Sequence, residues 1–251
     1  PALGADGNGY ALAAMFGHRI ILPVPSTVPL LVKDPWCHVL QGQKVRASVT
    51  SCIQGKAVRT VSGELLFTQY GLSGTAILDV SDEISIALNR DRVAGVSVTV
   101  DLIPFMSEAE LEKELRRRTA RDIPTGEILE GLLPHKISSL IMREKEIKPP
   151  GTSGVGMSAT LGGERVKELV KMLKDKRFKV SSTRGWNEAE FTAGGIPAEE
   201  VDPLTLESKL QKSLYFAGEI LDVQGRRGGY NLAWAWASGA VAGHRNSSGE
   251  R

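Results

Sequence analysis

One run near the end of the chain, SLYFAGEILDVQGRRGGYNLAWAWASGAVAGH (213–244), limits the possible folds more than any other. Leu214, Tyr215 and Phe216 make an apolar segment of the length of a short buried strand, and Ala217-Gly218 lets the backbone turn sharply where it stops. Glu219 puts a carboxylate at that strand end. Gly225, Gly228 and Gly229 lead a loop into Tyr230-Asn231, where Asn231 is read as the N-cap of the next helix. On that helix Ala235, Gly239 and Gly243 recur every four residues, with Ser238 and Ala242 beside them, so a backbone or a flat ligand can come close. Tight packing on a sheet explains the same spacing without any ligand. Trp234 and Trp236 cannot share a face, and the uncharged run falls short of the roughly 20 residues that a membrane helix needs.

Strand, glycine turn, acid, glycine loop and small-residue helix together describe an α/β ligand crevice. A helix N-terminus offers unpaired N–H groups and a partial positive charge, which favour an anion or an electron-rich carbonyl. A carboxylate at a strand end accepts hydrogen bonds from ligand hydroxyls. The pair suits a flavin, with its ribitol and its N1/C2=O edge; a sugar nucleotide would fit nearly as well.

The same residues resemble the C-terminal flavin-binding signature of a bacterial family of NAD(P)/FAD-dependent oxidoreductases that includes aminoacetone oxidase-like and 3-dehydro-bile-acid reductase-like proteins. The resemblance extends to FTAGGIPAEEVDPLTLESKL (191–210), GELLFTQYGLSG (63–74) and LGADGNGYALAAMFGH (3–18). Gln69 stands where the family commonly has His, and Thr75 where Pro is usual. The family's opening strand, G-x-G-x-x-G turn and helix, which bind the ADP half of FAD, have no counterpart in the 251 residues. The resemblance therefore implies the C-terminal part of a longer flavoprotein, with the missing N-terminal part of its own chain as a partner.

What the resemblance implies is an α/β chain, α+β overall: the C-terminal part of a Rossmann-like FAD-binding domain (1–24 and 186–251), an inserted β-barrel-like domain (25–105 and 176–185), and a helical insertion within it (106–175). It assigns Gly194, Gly195, Gly218, Glu219, Asp222, Gly228, Gly229, Tyr230 and Asn231 to the flavin. An exposed loop acid and a packing aromatic explain Asp222 and Tyr230 equally well, and the glycine pair by itself reads as an ordinary turn. The activity implied is hydride transfer through flavin N5 to or from a small organic substrate, with NAD(P)H as the possible co-substrate. No catalytic residue is assigned, as expected where the cofactor carries the chemistry; His18, His135 and Gln69 make no acid–base set. The competing reading, from a different class, is a binding or scaffolding module that turns nothing over and holds no flavin.

Composition agrees with a cytoplasmic enzyme piece. With 31 basic and 29 acidic residues, net +2, the charge is too balanced to suggest nucleic acid or a membrane surface. Cys37 and Cys52 lack the spacing of a disulfide framework or metal site and read as reduced packing thiols. The basic run Lys171, Lys174, Lys176, Arg177, Lys179 lacks interleaved aromatics.

Along the rest of the chain, 4–18 reads as a glycine loop entering a short helix that Gly17 ends, and Ile20–Leu22 as a strand left at Pro23, Pro25 and Pro29. Strands are predicted at Lys44–Ile53, Ala57–Val61, Leu65–Thr68, Val96–Ile103 and Phe178–Thr183, and Leu72–Leu88 as helix then strand. Ser107 with Glu110 forms a capping box; Leu111 and Leu115 lie under a charged face whose Arg116–Arg118 are offset by glutamates. Helices follow at Glu127–Leu133, His135–Glu144 and Glu164–Lys174. The Pro/Gly/Ser-rich 148–163 is a lid or a linker.

Overall fold

The computed structural model describes residues 4–121, 123, 127–145 and 162–247, with 245–247 as backbone alone. In chain order the elements are α1 (Asn8–Met15), β1 (Ile21–Ser26), β2 (Leu30–Val32), α2 (Pro35–Val39), β3 (Lys44–Ile53), β4 (Lys56–Thr68), β5 (Gly71–Ser73), α3 (Thr75–Asp79) and α4 (Ser81–Ser85). A π turn (Ile86–Arg90) follows, then β6 (Val96–Asp101), α5 (Glu108–Thr119), α6 (His135–Glu144), α7 (Gly163–Lys174), β7 (Lys176–Thr183), β8 (Phe191–Gly195) and α8 (Tyr230–Ser247). The expected 148–163 connection lies outside the described residues, apart from Gly162 and Gly163. No helix among the described residues is long and apolar enough to cross a membrane.

Two compact units divide the chain: Leu30–Val80 with Ala94–Ser181, and Pro1–Pro29 with Ser81–Val93 and Ser182–Arg251. The first is a closed antiparallel barrel in the order β2-β5-β4-β3-β6-β7, with α5, α6 and α7 interrupting it between β6 and β7. Period-2 alternation turns Ala47, Val49, Leu65, Phe67, Val98, Val100, Phe178 and Val180 inward, all buried. Phe178 meets Phe67 and Trp36 edge-on, with centroids 6.2 and 6.3 Å away. The two strands expected at 57–61 and 65–68 are one, β4, which runs through Gly63; a Cβ there would lie 2.7 Å from Thr75 Oγ1. Thr75 Oγ1 in turn accepts the Glu64 N–H at 2.9 Å.

The helices of the barrel unit follow from their sequences with one exception. Ser107 and Glu110 form the capping box, and Leu111 and Leu115 are fully buried. Residues 127–133 make tight turns instead of a helix, and Arg118 reaches across to the carbonyls of Ile128 (2.9 Å) and Glu130 (2.7 Å). Cys37 is buried and its thiol is pushed up to about 12, by burial first and by Asp34 second.

The second unit contains the antiparallel pair β1 and β8 and a small core of Ala13, Ile196, Val201, Leu206, Phe216 and Leu221. Strand β1 continues through Pro23 and Pro25, where sequence alone ends it; an edge strand loses little by lacking those two N–H groups. Leu214–Phe216 is not a regular strand, since it joins its neighbour by a single bridge, Glu207↔Tyr215. Sequence alone also puts 81–93 in the β-rich segment, with a strand near Ile84 and Ile86. These residues are instead helical and bound to β1: Asp82 Oδ1 accepts from Ser26 Oγ (2.6 Å) and Thr27 N–H (2.8 Å), and Ser85 Oγ donates to Pro25 O.

Candidate functional site

Strand β8 has two differently completed edges. Toward β1 the register runs Ile21↔Gly195 and then Val24↔Ala193, so Leu22 and Pro23 oppose Gly194 across a bulge. On the other edge Ile196 N–H donates to Ile220 O at 2.9 Å and Asp222 N–H to Ile196 O at 2.8 Å. Further back along that edge no strand of the described residues pairs with it, and carboxylates take over. Asp222 Oδ1 accepts the Gly194 N–H at 2.9 Å, and Glu219 Oε1 accepts the Thr192 N–H. The second oxygen of each carboxylate has no donor among the described residues.

Gly194 and Gly195 sit here with φ of 109° and 129°, which side chains rarely adopt. A Cβ on Gly194 would lie 2.7 Å from Leu22 O and 2.8 Å from Ile21 O, and one on Gly195 would strike Ile220 O. The space these glycines leave is filled by the protein's own backbone, so internal crowding, and not the approach of a ring, accounts for the pair in the direction a side chain would take.

Gly218 turns with φ of 77° and is held by α8. Its N–H donates to Ser238 Oγ at 2.8 Å, and its carbonyl accepts Trp234 Nε1–H at 3.1 Å. Buried Ser238 and half-buried Ala235 thus pack α8 on the Gly218 turn, while Gly239 and Gly243 of the same small-residue series are exposed with nothing within 4 Å of where a Cβ would stand, and Trp236 is 80% exposed. Asn231 does not cap the helix. The helix starts at Tyr230, with Ala233 N–H bonded to Gly229 O at 2.9 Å, and the Asn231 amide closes the preceding loop on Gly225 with bonds of 2.7 and 3.0 Å. Arg227 ties the same loop to Glu190 through two bonds of 2.9 and 3.0 Å. Gly228 and Gly229, with φ of 110° and 95°, have nothing within 4 Å of where a Cβ would stand, so the approach to the first turn of α8 is open there; Tyr230 beside them is largely exposed.

Two residues reach this region from the front of the chain. Tyr10 on α1 donates its hydroxyl to Glu219 O at 3.5 Å, and burial, then the Glu219 charge, raises its pKa. His18 is buried between Glu200 (Nδ1···Oε2 2.8 Å) and Ser208 (Nε2···Oγ 2.7 Å). The order Ser–His–Glu has the connectivity of a hydrolytic triad. The Ser208 oxygen, however, already accepts the N–H groups of Leu210 (3.0 Å) and Gln211 (2.8 Å), which engages the lone pairs a nucleophile would need. The group is a brace.

A family model described as the HI0933-like protein Rossmann domain matches residues 1–245. The chain belongs to the HI0933-like family. A 3-dehydro-bile acid delta(4,6)-reductase of Clostridium scindens is 32% identical over 244 residues, covering 96% of this chain and 58% of that protein. Ribosomal RNA dihydrouridine synthases of Haemophilus influenzae and Escherichia coli are 32% and 31% identical over 240 residues, covering 95% of this chain and 55% and 56% of theirs. The chain therefore spans a little over half the length of the curated relatives it matches.

Of the residues that the sequence assigned to a family flavin, Gly194, Gly195, Glu219 and Asp222 meet along one edge of β8, Gly218 joins them through the Glu219 turn, and Gly228, Gly229, Tyr230 and Asn231 stand at the start of α8. The donor set fits the flavin: two carboxylates each keep an oxygen for hydroxyls, and an open glycine approach leads to a helix N-terminus. Tyr10, Arg90 and Ser238 are not among the residues that the sequence assigns to the site. Tyr10 lies in GNGY, within a segment of family resemblance; Arg90 carries no local signal at all.

Proposed function

We propose that this chain is the C-terminal part of an FAD-dependent oxidoreductase that reduces a small organic substrate with electrons from NAD(P)H. The observation that supports it most is the pair of second oxygens on Glu219 and Asp222, held in place by backbone N–H groups and open to ligand hydroxyls. When bound, the flavin would supply the hydride-transfer chemistry. The residues of this chain bind and orient: Glu219 and Asp222 accept ribityl hydroxyls, and Gly228, Gly229 and the first turn of α8 receive the edge that becomes electron-rich on reduction. Tyr10, protonated through the neutral range, keeps its hydroxyl as a donor beside the two acids. The ADP half of the cofactor would then be held outside these 251 residues.

The names of the relatives support reduction of a carbon–carbon double bond as the reaction class. Dihydrouridine is uridine with two more hydrogens across a ring double bond, and a delta(4,6)-reductase acts on double bonds as well. The balanced step adds one hydride and one proton across that bond while NAD(P)H is oxidised to NAD(P)⁺. A cytoplasmic site is part of the same reading.

The test is absorption and fluorescence titration of the purified protein with FAD, followed by anaerobic NADH and NADPH addition. Saturable uptake with bleaching of the bound flavin by either nucleotide is expected. Absence of flavin uptake would leave a binding or scaffolding module; uptake without bleaching would remove NAD(P)H from the proposal.

A further inference from the structure

Arg90 closes the π turn, and its side chain does what the β1–β8 ladder cannot. At the bulge the register shifts and Pro23 has no N–H to offer the opposite strand. Arg90 Nε–H donates to Leu22 O at 2.9 Å, and Nη2–H donates to Ala193 O at 2.7 Å. Nη2 stands 2.8 Å from where a Gly194 Cβ would be, so the guanidinium occupies part of the space that a side chain at 194 would take.

The peptide joining Ala193 to Gly194 is thereby held at both ends. Its oxygen faces the Arg90 cation and its N–H faces the Asp222 carboxylate at 2.9 Å. Charge-assisted bonds at opposite ends of one peptide polarise it in the same sense and strengthen each other. Turning that peptide would break both together. We propose that Arg90 is a positioning residue of the ligand site: acting through the Ala193–Gly194 peptide, it fixes the Asp222 carboxylate so that its second oxygen meets a flavin hydroxyl. This assignment rests on the flavin reading above.

The experiment is a double-mutant cycle on FAD affinity, read by fluorescence of the purified protein, with R90Q, D222N and the pair, and with R90K as the milder variant. Each of R90Q and D222N is expected to weaken FAD about tenfold, and the pair also about tenfold, because both break one coupled unit. R90K, which keeps the charge and one donor, should fall between R90Q and the parent, and the thermal midpoint of each FAD-free variant reports folding separately. Additive losses of about a hundredfold in the pair would show that Arg90 does not act through Asp222, and an unchanged FAD affinity in both R90Q and R90K would reduce it to a brace of the bulge; either overturns the proposal and leaves the flavin reading standing. No FAD uptake by the unsubstituted protein would overturn both.

Discussion

At single residues the glycines of this chain fall into two kinds that composition cannot distinguish. Gly195 has its side-chain direction blocked by Ile220 O and a φ of 129°, whereas Gly228 has open space and φ of 110°. Gly195→Ala should therefore cost about 3 kcal/mol of stability, from steric overlap added to backbone strain, and Gly228→Ala clearly less, from strain alone. Urea unfolding of the two variants checks this, and equal losses would contradict the crowding described at β8. The distinction could not be read in the sequence, where Gly194-Gly195 and Gly228-Gly229 are both glycine pairs. What separates them is a carbonyl 25 positions away from Gly195, brought there by the Ile196 bridge to Leu221.

Single elements show where the sequence was legible and where it was not. β3 and α6 have the predicted bounds, because period-2 and period-3.6 patterns are local properties. Leu214–Phe216 was apolar enough for a strand but found only one bridge, since strand formation needs a partner that the segment itself does not specify. On α5 the pairs are local, and they yield a pH prediction. Hydrogen bonds from Arg117 and then Arg118 hold the Glu114 carboxyl at about 2 in place of 4.5. A depressed carboxylate stabilises the fold fully above its ordinary value and progressively less as pH falls toward the folded one. Thermal unfolding of Glu114→Gln should thus lie below the parent at pH 6, with the gap closing between pH 4.5 and about 2; a gap that is constant with pH would refute the pairing. On α8, Ser238→Ala leaves the buried Gly218 N–H without its acceptor and should lower stability by about 1–3 kcal/mol even in flavin-free protein, as chemical denaturation would show.

For the whole molecule, the two units differ in how their strands are secured. A closed six-stranded barrel has no free edge, whereas an isolated two-stranded pair is marginal alone. Hydrogen exchange followed by mass spectrometry should find the amides of β3 and β6 protected longest and those of β1 and β8 released earlier; the reverse order would place the more stable unit wrongly. The pairing of front and back has a further consequence during synthesis. Tyr10 and Glu219 are 209 positions apart, and His18 and Glu200 are 182 apart. Strands β3 and β4 can zip as a hairpin as soon as both are made, but the front of the chain must wait for residues about 180 to 210 positions later before these partners exist. Until then Ala13 of α1, buried in the finished fold, has no core to join. A chain ending between β7 and β8 would thus hold every strand of the barrel and yet leave α1 and β1 without their partners.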